Sequence, residues 1–189
     1  MALNVKINFE DCYEIETLTS DLSLSKFNTI LKTGERVALG IQISNTVHPY
    51  LSDVYNLAFG PLNDSIQIDD KAKLYHEDHS KVFSTIIFTA LAFLTENKEK
   101  YLGIDGSNNA RAYMYYRCIQ NNFDYLTQFF NIYGVNYYVR VLRKLDDNDA
   151  SHPIDAQDLK AIPEIIEKNV PIPSDKLYNY FIFNLKKEV

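Results

Sequence analysis

The chain has 189 residues, 46% of them hydrophobic and 13% aromatic, and a formal net charge of −6 at pH 7. That is enough apolar material for one domain with a real core, which excludes wholesale disorder. No apolar run approaches the roughly 18 residues of a membrane span, and the acidic balance gives no support to a whole-surface attraction to nucleic acid.

The charge is uneven. Between Asp146 and Lys176 eight acids face three lysines, so this segment carries −5 and the remaining residues −1. Trp is absent, whereas 14 Tyr and 11 Phe are present; tyrosines that need a partner for their hydroxyl are expected at the margin of the core. Met1-Ala2-Leu3-Asn4-Val5-Lys6 lacks the pattern of a signal peptide. The two cysteines, Cys12 and Cys118, are far apart and read as reduced and buried. A cytoplasmic location is expected, with no membrane association.

Along the chain, Tyr13, Ile15, Leu22 and Leu24 alternate weakly, as a strand would, and Ser25 to Leu31 reads as a helical turn. Val37, Leu39, Ile41 and Ile43 occupy alternate positions, the period of a half-buried strand. Val54 to Phe59 is a second strand, stopped by Gly60-Pro61 and paired antiparallel with the first. A helix capped by Asp78 or Ser80 carries Val82, Phe83, Ile86, Ile87, Ala90, Leu91 and Leu94 at helical spacing, interrupted by Ser84, Thr85 and Thr89. Tyr101 to Ile104 is a short strand, followed by a helix from about Asn109 to Phe130 and a strand from Tyr137 to Leu142. The strand–helix–strand unit from Tyr101 to Leu142 implies a parallel crossover. The expected class is α+β, a mixed, partly antiparallel sheet with two main helices on one face.

Residues 1–145 form the expected core domain. Residues 146–176, with four of the six prolines, read as an acidic surface segment with a short helix near Ala161 to Lys168. Residues 177–189 are too apolar to dangle and read as a final aromatic strand, packed on the core or across a homo-oligomer interface.

The strand-to-helix turn Asp105-Gly106-Ser107-Asn108-Asn109-Ala110-Arg111 carries chemistry. The first amides of a helix lack internal partners, the helix dipole is positive there, and Arg111 adds a full charge with a planar fork of donors. Ligands of open α/β sheets favour this carboxyl end of a strand. The simpler reading has Asp105, Ser107 or Asn108 capping the helix, with Arg111 paired to an acid such as Asp105. The second Gly and the Lys-Ser/Thr pair of a phosphate loop are missing.

Four blocks in order, Val54-Tyr55-Asn56-Leu57-Ala58-Phe59-Gly60, Ile68-Asp69-Asp70, Lys81-Val82-Phe83-Ser84-Thr85 and Gly106-Ser107-x-x-Ala110-Arg111, resemble a small uncharacterised bacterial family found mainly in Bacteroidetes, with YNLxFG, DD, KVxxT and GSTxARTRxY-like motifs. The resemblance covers about residues 35 to 145 and implies no activity. Asn108 stands where the family has Thr, and Ala112 where it has a second Arg, so Arg117 is the next arginine along.

Elsewhere, Asp69-Asp70 with His76, Asp78 and His79 has carboxylates and imidazoles, but no spaced partner completes a metal shell, so a solvated loop and a helix cap are expected. His48 beside Pro49 reads as a turn residue. Arg111, Arg117, Arg140 and Arg143-Lys144, with Tyr113, Tyr115, Tyr137 and Tyr138, have the basic-aromatic character that single strands prefer, or else are core tyrosines and arginines paired with the acidic segment.

The expected function is a non-catalytic binding or regulatory module recognising an anionic group, whether phosphate-containing ligand or protein partner. Its site residues are Gly106, Ser107, Asn108, Asn109, Arg111, Tyr115 and Arg117, with Asp69 and Asp70 accessory, and no metal or cofactor is implied. Two alternatives stand beside it: a small nucleotide- or nucleic-acid-modifying enzyme of toxin or phage-defence type, and a structural subunit. A cleft joining Asp69 or Asp70 to Arg111 would favour the enzyme.

Overall fold

The computed structural model describes residues 4–63, 67–70, 72–106, 108–141, 154–171 and 177–186. Eight strands form one sheet: β1 (Glu16–Thr17), β2 (Leu24–Ile30), β3 (Arg36–Val47), β4 (Val54–Pro61), β5 (Tyr101–Asp105), β6 (Phe130–Val141), β7 (Ile154–Ile165) and β8 (Tyr180–Leu185). Their order across the sheet is β1-β2-β3-β4-β5-β8-β6-β7. Helix α1 (His79–Glu96) lies between β4 and β5 in sequence, and α2 (Asn109–Asn121) and α3 (Phe123–Leu126) lie between β5 and β6.

Only β4 and β5 pair in parallel among these strands, across the α1 crossover; β3 and β4 form the expected antiparallel pair. The fold is thus mixed α+β with an antiparallel-dominant sheet. The expected parallel neighbours β5 and β6 do run the same way, but β8 is inserted between them and pairs antiparallel with both. The sheet alternation shows which face the helices cover. Leu39, Ile41, Ile43, Leu57, Leu102, Ile104, Phe181 and Phe183 join the buried faces of α1 and α2 in one core, whereas Val54, Tyr180, Ile182 and Val135, of opposite parity, form a smaller cluster on the far side.

Three expected elements are corrected. Ser25 to Leu31 is not helical: Ser25 to Ile30 belongs to β2, where Ser25, Phe27 and Thr29 are buried at period two, and Leu31 forms a bridge to His76; two of the three inward residues are polar, which hid the alternation. The second helix stops at Asn121 rather than Phe130. There Asn122 turns its side chain to other backbone, Oδ1 accepting from Ile7 N–H (2.7 Å) and Nδ2 donating to the Val5 (2.9 Å) and Cys118 (2.8 Å) carbonyls. The aromatic and β-branched run from Phe130 then enters β6, including Gly134. Finally, Ala161 to Ile165 is strand, not helix, and Glu167 to Lys168 leads into a turn. Pro163 is tolerated because β7 is an edge of the sheet, where one side of the strand needs no ladder donors.

The polar interruptions of α1 have a structural use. Residues 6–13 run along the helix with a turn closed by Asp11 N–H on Asn8 O (3.2 Å), and three of their amides donate to side chains: Lys6 N–H to Ser80 Oγ (3.0 Å), Asn8 N–H to Ser84 Oγ (2.9 Å) and Tyr13 N–H to Thr85 Oγ1 (2.9 Å). Lys81 completes this clamp with an ion pair to Asp11 (2.9 Å) and a cation–π contact on Tyr13 (5.1 Å). The Lys-Val-Phe-Ser-Thr block is therefore in large part a docking strip for the N-terminal segment.

The aromatic tail is internal. Tyr178, Tyr180, Phe181, Ile182 and Phe183 are all buried within this molecule. No helix among the described residues is long and apolar enough to cross a membrane. Cys12 and Cys118 are both free thiols and both only partly buried, with burial pushing the Cys118 thiol up to about 12.

Candidate functional site

The parallel pair β4–β5 directs two carboxyl ends to one place. At the end of β5, Asp105 leads into Gly106, whose N–H donates to Asn179 O (2.8 Å). Gly106 is needed for close approach rather than for a left-handed conformation: a Cβ there would lie 2.9 Å from the backbone Cα of Ala112 and 3.0 Å from Asn179 O. Asn108 is the N-cap of α2, with extended backbone (φ −156°) and Oδ1 accepting from Arg111 N–H (3.0 Å). The capping reading is thus correct for Asn108, and Ser107 lies outside the described residues. The cap and the Ala112-to-Asn108 backbone bond leave the amides of Asn109 and Ala110 without hydrogen-bond partners among the described residues, as helix N-termini generally do.

At the end of β4, Gly60 meets the second block. A Cβ on Gly60 would fall 2.2 Å from Asp69 O and 3.2 Å from Asp70 N, so the Asp69–Asp70 backbone lies directly against the strand. The Asp69 N–H donates to Pro61 O (3.1 Å) and holds it there.

Tyr115, one turn beyond Arg111 in α2, joins these parts. Its ring meets Phe59 (6.4 Å), Phe83 (6.4 Å) and Phe181 (6.2 Å), each near edge-to-face. Burial pushes its hydroxyl up to about 12, Arg111 pulls it down, and Asp105 and Asp70 push it up again. The phenol is therefore neutral and able to donate at physiological pH, with one guanidinium and two carboxylates within electrostatic reach. Phe59, Asp70, Phe83 and Arg111 each come from a different motif block: the two phenylalanines pack on this ring, and the two charged residues lie within electrostatic reach of its hydroxyl. The order of blocks along the chain concealed that grouping.

Arg117 is placed elsewhere, with its guanidinium over the exposed ring of Tyr113 (5.8 Å). The side chains of Tyr137, Tyr138 and Arg140, and all of Arg143 and Lys144, fall outside the described residues, as does the chain around them that would complete a basic-aromatic stripe. In the loop before α1, His76 is buried with Nδ1 3.3 Å from Thr29 Oγ1, and Asp78 Oδ1 caps α1 on Lys81 N–H (2.9 Å). Among the described residues no cluster of three or more His, Cys, Asp or Glu is arranged to hold a metal ion. An apolar space of about 30 Å³ lies between the helices and the sheet, bordered by Tyr115 and Cys118.

Sequence reasoning did not find Asp105 as a member of the Tyr115 cluster, nor the polar face opposite the helices. Residues Gln42, Ser44 and Asn56, set between the apolar positions of β3 and β4, were the available signal for that face.

Comparison with curated proteins and with solved structures gave no match. A family profile described as "Family of unknown function (DUF6934)" matches residues 10–149, a span that holds every motif residue around Tyr115 and stops before β7 and β8. With most of its length matched, including the whole of the β4–α1–β5–α2 unit, the chain belongs to DUF6934, a family of unknown function.

Proposed function

We propose that the protein is a binding or regulatory module that recognises a nucleotide-like anion at the joint end of β4 and β5. The observation that carries this reading is the packing of Phe59 and Phe83 on Tyr115, with Asp70 and Arg111 within electrostatic reach of its hydroxyl, at the α2 end that holds the Asn109 and Ala110 amides. The amides and the guanidinium suit a phosphate or carboxylate. Asp70 and Asp105 would repel a bare polyanion, so the ligand must also bring donors for them, as ribose hydroxyls or a base amino group do.

The test is a thermal-shift and calorimetric screen of nucleoside mono-, di- and triphosphates, short RNA and inorganic phosphate on wild type, Arg111→Gln and Tyr115→Phe. A nucleotide that stabilises wild type and neither variant supports the reading. Stabilisation by none, or equal stabilisation of all three proteins, refutes it.

Asp70 and Arg111 within electrostatic reach of one phenol also favour a second reading, a nucleotide- or nucleic-acid-modifying enzyme of the toxin or defence type with Asp70 as base. It requires that a bound nucleotide be converted, followed by phosphorus NMR, and that Asp70→Asn abolish conversion while sparing binding.

A further inference from the structure

The face of the sheet opposite the helices carries an open recess that shares Asp105 with the Tyr115 cluster and none of its other residues. Ser44, Thr46, His48, Asn56, Asp105 and Tyr180 border a space of about 290 Å³. Ser44 and Asn56 are shared with an adjoining trough of about 400 Å³, where Thr19, Ser23, Gln42 and Asn45 are added. Each is near the lower end of the size range of small-molecule sites, and together they make an elongated groove.

The polar walls are ordered by their own hydrogen bonds. The Tyr180 ring lies across Gly103, where a Cβ would come within 2.2 Å of it, and its hydroxyl donates to Asn56 Oδ1 (3.3 Å). That bond fixes the orientation of the Asn56 amide, whose NH2 group is a donor and whose oxygen keeps a second lone pair. Ser44 Oγ accepts from Asn56 N–H (2.9 Å) and donates to Thr46 O (2.7 Å), fixing the irregularity of β3 between Ile43 and Val47. His48 Nδ1 accepts from Tyr50 N–H (3.2 Å), so the neutral ring carries its proton on Nε2; burial lowers its pKa and Asp105 opposes this. Beside these groups the exposed Val47 side chain and the His48 ring give an apolar flank.

The composition of the groove defines the ligand class. Among the described residues no Lys or Arg borders either part, and Asp105 is the one charged residue, so the groove does not suit a phosphate. Its other polar groups are neutral amides and hydroxyls spread along two strands and a loop. The His48 and Tyr180 rings are inclined at 50° with centroids 5.1 Å apart, which offers no parallel slot for a flat base. Amides, hydroxyls and one carboxylate beside a small apolar flank match a neutral ligand with many hydroxyls. We propose that this groove binds a carbohydrate, with one sugar ring against His48, Asn56 and Asp105 and a second unit extending towards Gln42.

The test is an amide NMR titration of the full chain with glucose, N-acetylglucosamine, maltose and cellobiose, with adenosine and spermidine as competing chemistries. The expected result is a saturable shift at residues 42–48, 56 and 105 for at least one disaccharide, with the amides of 109–115 unmoved. Thr46→Trp, at an exposed position whose only described hydrogen bond uses its backbone oxygen, fills the groove and should weaken that binding by about tenfold or more while the rest of the spectrum is retained. Gln42→Ala should weaken the disaccharide more than the monosaccharide. The proposal is overturned if no saccharide gives a saturable shift at concentrations of about 10 mM, if Thr46→Trp leaves binding unchanged, or if adenosine or spermidine takes these residues in preference. The phosphate-bearing ligands proposed for the Tyr115 cluster report on the amides of 109–115 and share only Asp105 with this groove, so failure at one site leaves the other standing.

Discussion

Gly60→Ala tests whether the second motif block is seated on β4 as described. The added methyl would lie 2.2 Å from Asp69 O and 2.7 Å from Asp69 C, both backbone atoms, whereas ordinary contact begins at 3.4 Å. The Asp69–Asp70 backbone must therefore retreat by roughly 1 Å, against the bond from Asp69 N–H to Pro61 O. Overpacking of this kind costs about 1–3 kcal/mol, which for a chain of this size lowers Tm by roughly 2–4 °C per kcal/mol. A useful control is Gly34→Ala, where φ is +84° but nothing lies within 4 Å of the new Cβ; left-handed strain alone costs about 1–2 kcal/mol. Thermal denaturation should place both variants below wild type. Only Gly60→Ala should also shift the amide signals of Asp70 and Tyr115, because only it displaces the carboxylate that acts on the phenol. A Gly60→Ala protein with wild-type stability and an unchanged Tyr115 environment would refute the placement of this block.

Two further outcomes follow from buried polar groups. Asn122→Ala strands the Ile7 N–H and the Val5 carbonyl beside a 7% exposed position, at a cost of about 3 kcal/mol. Hydrogen exchange at residues 5–9 should accelerate along with the fall in urea midpoint, and unchanged exchange at Ile7 would contradict the docking of this segment. Burial lowers the His76 imidazole to about 4 from 6.5, with His79 adding to the shift. Since the unfolded chain takes up this proton near pH 6.5 and the folded one does not, His76 contributes stability above that pH which is lost as pH falls towards about 4. The urea midpoint of wild type should drop more between pH 7 and pH 5 than that of His76→Asn; equal drops would show that His76 is not the group responsible.

Much of the scaffold was legible because its burial is periodic and apolar. Leu39, Ile41 and Ile43 in β3 and the face of α1 from Val82 to Leu94 announce themselves by spacing alone. The reading failed where polar residues do structural work. Ser25 and Thr29 occupy inward positions of β2, and Asn122 ends a helix that the aromatic pattern would have carried to Phe130. β7 was misread because prolines and acids suggested a loop, although an edge strand tolerates both. At the candidate site the turn and its Asn108 cap could be anticipated locally. The meeting of Phe59, Asp70 and Phe83 around Tyr115 could not, because it depends on which strands are neighbours. Nor could the cavity bordered by Tyr180, a residue far from the other walls in sequence.

The place of β8 has a consequence for biosynthesis. The strand that separates β5 from β6 is made after both, so during translation those two strands emerge with the backbone edges that face each other across the gap unpaired. A nascent chain short of residue 180 holds two incomplete half-sheets, β1 to β5 and the β6–β7 hairpin, and cannot join them. Closure of the domain therefore waits until β8 has been made, and ribosome-bound intermediates short of it expose open edges of the kind that chaperones protect. Messages truncated before Tyr180 should yield chains that are degraded or aggregate rather than a smaller folded core.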